Sequence, residues 1–176
     1  MSSQAYLENI KKTIRDVPHF PKQGILFRDI TPLLLAKKKF KYCIDWFAAR
    51  TAAKVDYVVS IESRGFILGS ALAYALGVGF VPIRKGGKLP YKKFQTAYQL
   101  EYGEAVVEIH ADAMKKGSKA VIVDDVLATG GTVKAATDLV EKLGVKISGL
   151  YFLIELKELQ GREKLSGYPI HSLITY

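Results

Sequence analysis

The feature that most constrains this chain is the segment Val121-Ile122-Val123-Asp124-Asp125-Val126-Leu127-Ala128-Thr129-Gly130-Gly131-Thr132. An apolar run at Ala120–Val123 reads as a buried strand that delivers two adjacent carboxylates to its carboxyl end. A loop of small residues then opens a helix over Thr132–Leu143, with Val133, Ala136, Val140 and Leu143 on one face and Gly144 as its stop. The glycines let backbone N–H groups wrap an anion, threonine hydroxyls add donors, and the helix dipole favours a phosphate. Carboxylates cannot hold that phosphate; Asp124 and Asp125 suit sugar hydroxyls or Mg2+. A plain strand–turn–helix with Thr132 as N-cap needs neither the acid pair nor the double glycine.

Strand and helix alternate elsewhere too. Val55–Ile61 is a strand signal, followed by the loop Glu62-Ser63-Arg64-Gly65, a buried helix at 66–76 and a strand at 79–83. Glu104–Ile109 reads as a strand or ribbon and Lys146–Leu156 as another strand. Such spacing implies βαβ units, a parallel sheet and right-handed crossovers. Ligands of such sheets bind beyond the carboxyl ends of the strands, which points at the loops 62–65, 84–93 and 124–132. The stretch 65–83 carries no charge, but Gly77, Gly79 and Pro82 divide it, which argues against a membrane span. At the start, Leu7, Ile10, Ile14 and Val17 follow helical spacing, and Glu8 and Asp16 argue against a transit peptide.

A length of 176 residues fits one domain. The single cysteine, Cys43, excludes an internal disulfide and a cysteine zinc cluster, and three scattered histidines offer no metal set. The net charge of +9 is concentrated before residue 100, which suits a phosphate, a nucleotide or nucleic acid, or simply a solvated basic face. Arg84, Lys85, Lys88, Lys92 and Lys93 crowd the loop 84–93, which contains no acid. Clustered cations there would stabilise charge on a departing anionic group. Tyr91, Phe94, Tyr98 and Tyr102 interleave with these lysines, a pattern that single-stranded nucleic acid also fits. Ser63 is not a hydrolase elbow, because Ile61 stands where a glycine is needed.

The segment 121–132 resembles the phosphoribosyl-diphosphate (PRPP) signature of the type I phosphoribosyltransferase family. Phe20-Pro21-x-x-Gly24-Ile25-Leu26-Phe27-Arg28-Asp29-Ile30, Glu62-Ser63-Arg64-Gly65-Phe66, Arg84-Lys85-x-Gly87-Lys88-Leu89-Pro90 and Leu100-Glu101-Tyr102-Gly103 narrow the resemblance to the adenine phosphoribosyltransferases, from residue 6 onward. Gly77-x-Gly79 lacks the third glycine of a dinucleotide loop, and no Walker A run is present.

The resemblance implies an α/β chain with the type I phosphoribosyltransferase fold: a central, mostly parallel sheet flanked by helices, a small N-terminal hood and a mobile lid loop. Residues 1–176 would form one domain, with hood and base-binding segment in 1–35 and lid in 84–103. It implies a glycosyltransferase of purine salvage that transfers the phosphoribosyl group of PRPP to adenine, giving AMP and pyrophosphate. By resemblance, Ala128, Thr129, Gly130, Gly131 and Thr132 bind the 5′-phosphate, and Asp124 and Asp125 bind the ribose. Ser63, Arg64, Arg84, Lys85 and Lys88 take pyrophosphate, with a non-proline cis peptide just before Ser63. Tyr102 covers the phosphoribosyl group, and Leu26, Phe27, Arg28 and Leu127 form the adenine pocket. Glu101 sits near adenine N7, so that Glu101, Arg64 and Asp125 form the catalytic set. Mg2+ is held mainly by PRPP, with Asp124 as a candidate contact. The family further implies a cytoplasmic homodimer with no nucleic-acid or membrane partner. The chain departs from the family at Tyr91-Lys92-Lys93-Phe94, where smaller residues are common, and has Glu62 where some relatives have Asp. Two alternatives stay open: another purine base, or a non-catalytic regulator that binds PRPP or nucleic acid.

Overall fold

The structure, a computed structural model, describes residues 3–51, 54–99 and 104–176. It divides into two compact units, 1–46 and 47–176. The first holds α1 (Ser3–Lys11), the antiparallel pair β1 (Arg15–Pro18) and β2 (Leu26–Asp29), α2 (Thr31–Leu35) and the start of α3 (Lys37–Arg50). Helical spacing from Leu7 to Val17 predicts a longer first helix than the one observed. The chain turns after Lys11, where the Thr13 amide donates to the Ile10 carbonyl, and Val17 enters β1. Pro18 disfavours helical backbone at the residue before it, and a spacing of ten residues satisfies both periods. No element is predicted for residues 37–50. Their lysine-rich first turn gives no N-cap signal and opposes the helix dipole, yet Cys43, Ile44 and Phe47 are buried at helical spacing.

The second unit is built on β3 (Tyr57–Ile61), α4 (Gly65–Leu76), β4 (Gly79–Lys85), β5 (Lys93–Gln99), β6 (Glu104–His110), β7 (Lys119–Leu127), α5 (Gly131–Lys142), β8 (Lys146–Glu155) and β9 (Ile170–Thr175). Among the described residues these strands form one sheet in the order β5-β6-β4-β3-β7-β8-β9. β4, β3, β7, β8 and β9 run parallel, while β6 is antiparallel to β4 and β5. From β3 the chain steps one way to β4, and from β7 the other way to β8. Right-handed crossovers therefore place α4 and α5 on opposite faces. Val59, Ile61 and Ile122 pack with Val133, Ala136 and Val140 of α5, whereas Ser60 meets α4 at Gly69. The reversal falls between β3 and β7, the switch point at which open sheets bind ligands. Gly77 ends α4 in the left-handed region, at φ 66°. The uncharged stretch 65–83 is thus helix then strand, and no helix among the described residues is long and apolar enough to cross a membrane.

Three expectations change. β7 continues through both aspartates to Leu127, because Val126 and Leu127 still pair with Ile154 and Glu155. The helix expected over Thr132–Leu143 runs from Gly131 to Lys142, with Gly130 as its N-cap. Within 84–103, Arg84 and Lys85 end β4, and Lys93–Gln99 form β5 paired along its length with β6, so only 86–92 is an irregular connection among the described residues of that span. The short edge strand β9 is likewise not predicted.

Candidate active site

Asp124 and residues Ala128–Thr132 line a recess of about 60 Å³ at the start of α5. Its floor depends on two glycines from distant parts of the chain. A Cβ on Gly130, which sits at φ 78°, would strike the Gly161 carbonyl, and a Cβ on Gly161 would strike the Ala128 carbonyl. The loop is thereby pressed onto the 3-10 turn 161–165. That turn is anchored by Arg162, whose Nε and one terminal nitrogen donate to the two Glu155 carboxylate oxygens at 2.6 and 2.7 Å.

The α4 end of the site begins with a cis peptide between Glu62 and Ser63. Gly65 brings the first turn of α4 against β7: a Cβ there would lie 2.7 Å from Asp124 Oδ1. Arg64 Nε lies 2.6 Å from Asp125 Oδ2, and the Asp125 side chain is only 9% exposed. The Asp125 amide donates to Asp124 Oδ1 at 2.9 Å. Burial, and then the Asp125 charge, push the Asp124 carboxyl well above the usual range. Burial raises Asp125 as well, against the opposing pull of the Arg64 guanidinium.

At the ends of β3 and β4 the cations are organised by acids from elsewhere. Arg84 Nε and Lys88 Nζ reach Glu62 at 3.1 and 2.9 Å, and the Lys85 amide donates to Glu62 Oε2 at 3.1 Å. Lys93 Nζ is 2.8 Å from buried Glu108. Lys85 and Lys92 are exposed and enter no ion pair among the described residues.

In the first unit, Leu26 is 44% exposed and therefore not core, while the Phe27 ring meets Phe20 edge-on at 5.1 Å. Arg28 pairs with Asp16 across the β1–β2 ladder.

Comparison with known proteins follows this geometry. The family model of the phosphoribosyl transferase domain matches residues 35–173. An adenine phosphoribosyltransferase of Brachyspira hyodysenteriae is 54% identical over 168 residues, covering 95% of this chain and 99% of that protein. The chain belongs to the adenine phosphoribosyltransferase family. A crystal structure of an adenine phosphoribosyltransferase from Thermoanaerobacter pseudethanolicus matches with a TM-score of 0.94 at 52% identity, covering 97% of this chain and 99% of that one. The Saccharomyces cerevisiae adenine phosphoribosyltransferase, solved with adenine and an iminoaltritol bisphosphate, matches with a TM-score of 0.91 at 43% identity, covering 97% and 99%.

Of the residues that the adenine phosphoribosyltransferase resemblance singles out, the structure brings Asp124 and Ala128–Thr132 onto one recess. Ser63 is exposed at the turn into α4, and Arg64 and Asp125 are paired with each other. Leu127 is 1% exposed and belongs to the apolar core rather than to the recess wall. Leu100, Glu101, Tyr102 and Gly103 lie outside the described residues. In the departing segment, Lys93 answers Glu108, and Phe94 packs on the core with Lys142 Nζ 4.7 Å above its ring. The His110 ring meets Tyr91 edge-on and the His171 ring stacks on Tyr151. Sequence reasoning missed Gly161 and Glu108 and saw Glu62 only as a substitution for Asp. A lone glycine and a lone acid carry no local signal.

The Arg84 hydrogen bond, aided by Lys88 and the Lys85 amide, lowers Glu62 from 4.5 to about 2. A depressed folded-state pKa means that the unfolded chain takes up the proton first as pH falls. This cluster therefore stabilises fully above about pH 4.5 and loses its contribution as pH falls toward 2. Glu62→Gln is expected to lower the urea midpoint at pH 6, with the gap to wild type closing near pH 2.5. A gap independent of pH would remove Glu62 from this role.

Proposed function

We propose that the protein carries out its family's reaction, transferring the phosphoribosyl group of PRPP to adenine and releasing AMP and pyrophosphate. The observation that carries this reading is the recess of Asp124 and Ala128–Thr132, standing at the same carboxyl end of the parallel strands as the cations of Arg84, Lys85 and Lys88. The first suits a 5′-phosphate at a helix N-terminus; the second suits a leaving group with several negative charges. Asp124 and Asp125 orient the ribose hydroxyls, Ser63 and Arg64 hold pyrophosphate beside the cations, and Tyr102 covers the sugar. As the C1′–O bond loosens toward an oxocarbenium-like state, adenine N9 attacks from the opposite face. Glu101 exchanges a proton with the base in a site closed from water. Leu26, Phe27 and Arg28 read the base, with Leu127 as buried support.

Mg2+ fits this donor set. Among the described residues no group of three or more acids, histidines or cysteines could cage a metal, while Asp124 presents a hard oxygen, so the ion would come with PRPP and touch Asp124. When bound it screens the charge of the pyrophosphate. Residues 1–35 act as hood and 84–103 as lid of one functional domain, in a cytoplasmic homodimer; the exposed Ile67 and Tyr74 on α4 offer an apolar face for self-association.

The test is pyrophosphate release from PRPP and Mg2+ with adenine, hypoxanthine, guanine or xanthine in separate reactions. Release with adenine alone supports the reading. Release with another base keeps the PRPP site and overturns base recognition, and no release despite PRPP binding leaves a regulator. Glu101→Ala is expected to lower kcat more than it weakens PRPP binding; an unchanged kcat would remove Glu101 as proton partner.

A further inference from the structure

Glu108 is 2% exposed, and a buried carboxylate is costly unless its oxygens are satisfied. Its partners come from the two ends of one connection. The Gly87 amide donates to Oε1 at 2.9 Å and the Leu89 amide to Oε2 at 3.4 Å, while Lys93 Nζ, on the first residue of β5, reaches Oε1 at 2.8 Å. β6 lies between β4 and β5 in the sheet, with Glu108 in register with Arg84 on one side and Gln95 on the other. The connection from β4 to β5 therefore has its two ends tied to the middle strand's carboxylate. The two amides it holds flank Lys88, whose own ammonium is turned to Glu62 at 2.9 Å.

We propose that Glu108 is a positioning residue that fixes the 86–92 connection so that Lys88 is presented to the departing pyrophosphate. The proposal rests on the reading of this site as the pyrophosphate end of a PRPP site. Glu108 touches no substrate in this account; it acts through the backbone on either side of Lys88. Its effect should be confined to ligands that carry pyrophosphate, because the 5′-phosphate recess is built from a different strand and helix.

The test measures binding of inorganic pyrophosphate and of AMP, each with Mg2+, to wild type and Glu108→Gln, together with KM for PRPP. The expected result is a rise of about fivefold or more in pyrophosphate Kd and in KM for PRPP, with AMP affinity within about twofold and substantial recovery in Glu108→Asp. Unchanged pyrophosphate affinity, or equal loss of AMP and pyrophosphate affinity, would overturn the proposal. Wild type that binds AMP but no pyrophosphate would overturn the underlying reading instead. If Glu108→Gln does not fold, Lys93→Met decides: selective loss of pyrophosphate affinity supports the clamp, and none overturns it.

Discussion

Replacing Gly161 with alanine is expected to lower kcat/KM for PRPP on the order of 100-fold, equivalent to about 2.7 kcal/mol of transition-state stabilisation. The new methyl would strike the Ala128 carbonyl and come within 2.9 Å of Leu127 Cδ1. Neither obstacle is the free end of a flexible side chain: one is backbone and the other is core. Either the 3-10 turn, held to Glu155 by Arg162, or the loop 128–130 must move, and the loop carries the donors proposed for the 5′-phosphate. Close positioning of reacting groups is the main thing such a site supplies, so displacement of the loop costs rate in addition to stability. The overpacking itself should destabilise by about 1–3 kcal/mol. Steady-state kinetics beside a thermal melt separates the two. Activity within about threefold of wild type would show that the turn does not shape the recess.

Asp125→Asn is the second large effect. The wild-type carboxylate is nearly buried, sits 2.6 Å from the Arg64 guanidinium and lies beside Asp124 at the switch point of the sheet. Asparagine keeps the volume and removes the charge. Both the proposed hold on the ribose and the pairing with Arg64 are weakened, and kcat/KM is expected to fall at least about tenfold, or 1.4 kcal/mol. The KM for adenine should hold near its wild-type value, since the base is assigned to other residues. Near wild-type turnover would sink the ribose role of Asp125.

The legible parts of the chain were those whose meaning is local. β3, α4 and β4 follow from a β-branched run, an uncharged helical stretch and the Gly77 stop. The strand, acid pair, small loop and helix of 121–132 could be read as an anion cradle because all its parts are consecutive. The boundary errors have local causes as well. A strand ends where its ladder ends, so β7 runs on past Val123 as long as β8 accompanies it. An α-helix takes its N-cap from backbone geometry, and with Gly130 at positive φ as N-cap α5 starts at Gly131. Residues 93–99 lack a run of β-branched residues and became a strand because β6 was there to pair with them.

The sequence by itself determined the class of fold, the family and the local build of the 124–132 loop, since each is written in short contiguous stretches whose backbone preferences and donor groups act within a few residues. Only the tertiary structure decided the electrostatics around the connection 86–92. In sequence the loop 84–93 is five cations without an acid; in the folded chain Glu62 and Glu108, which lie 26 and 21 residues from their partners Lys88 and Gly87, pair with Arg84, Lys88 and Lys93, offset two of those three charges and tie down the backbone between them. Gly161 reached the cradle in the same way. Charge pairing and close backbone approach depend on distance in space, and a parallel sheet with crossover helices brings together residues that no local pattern connects.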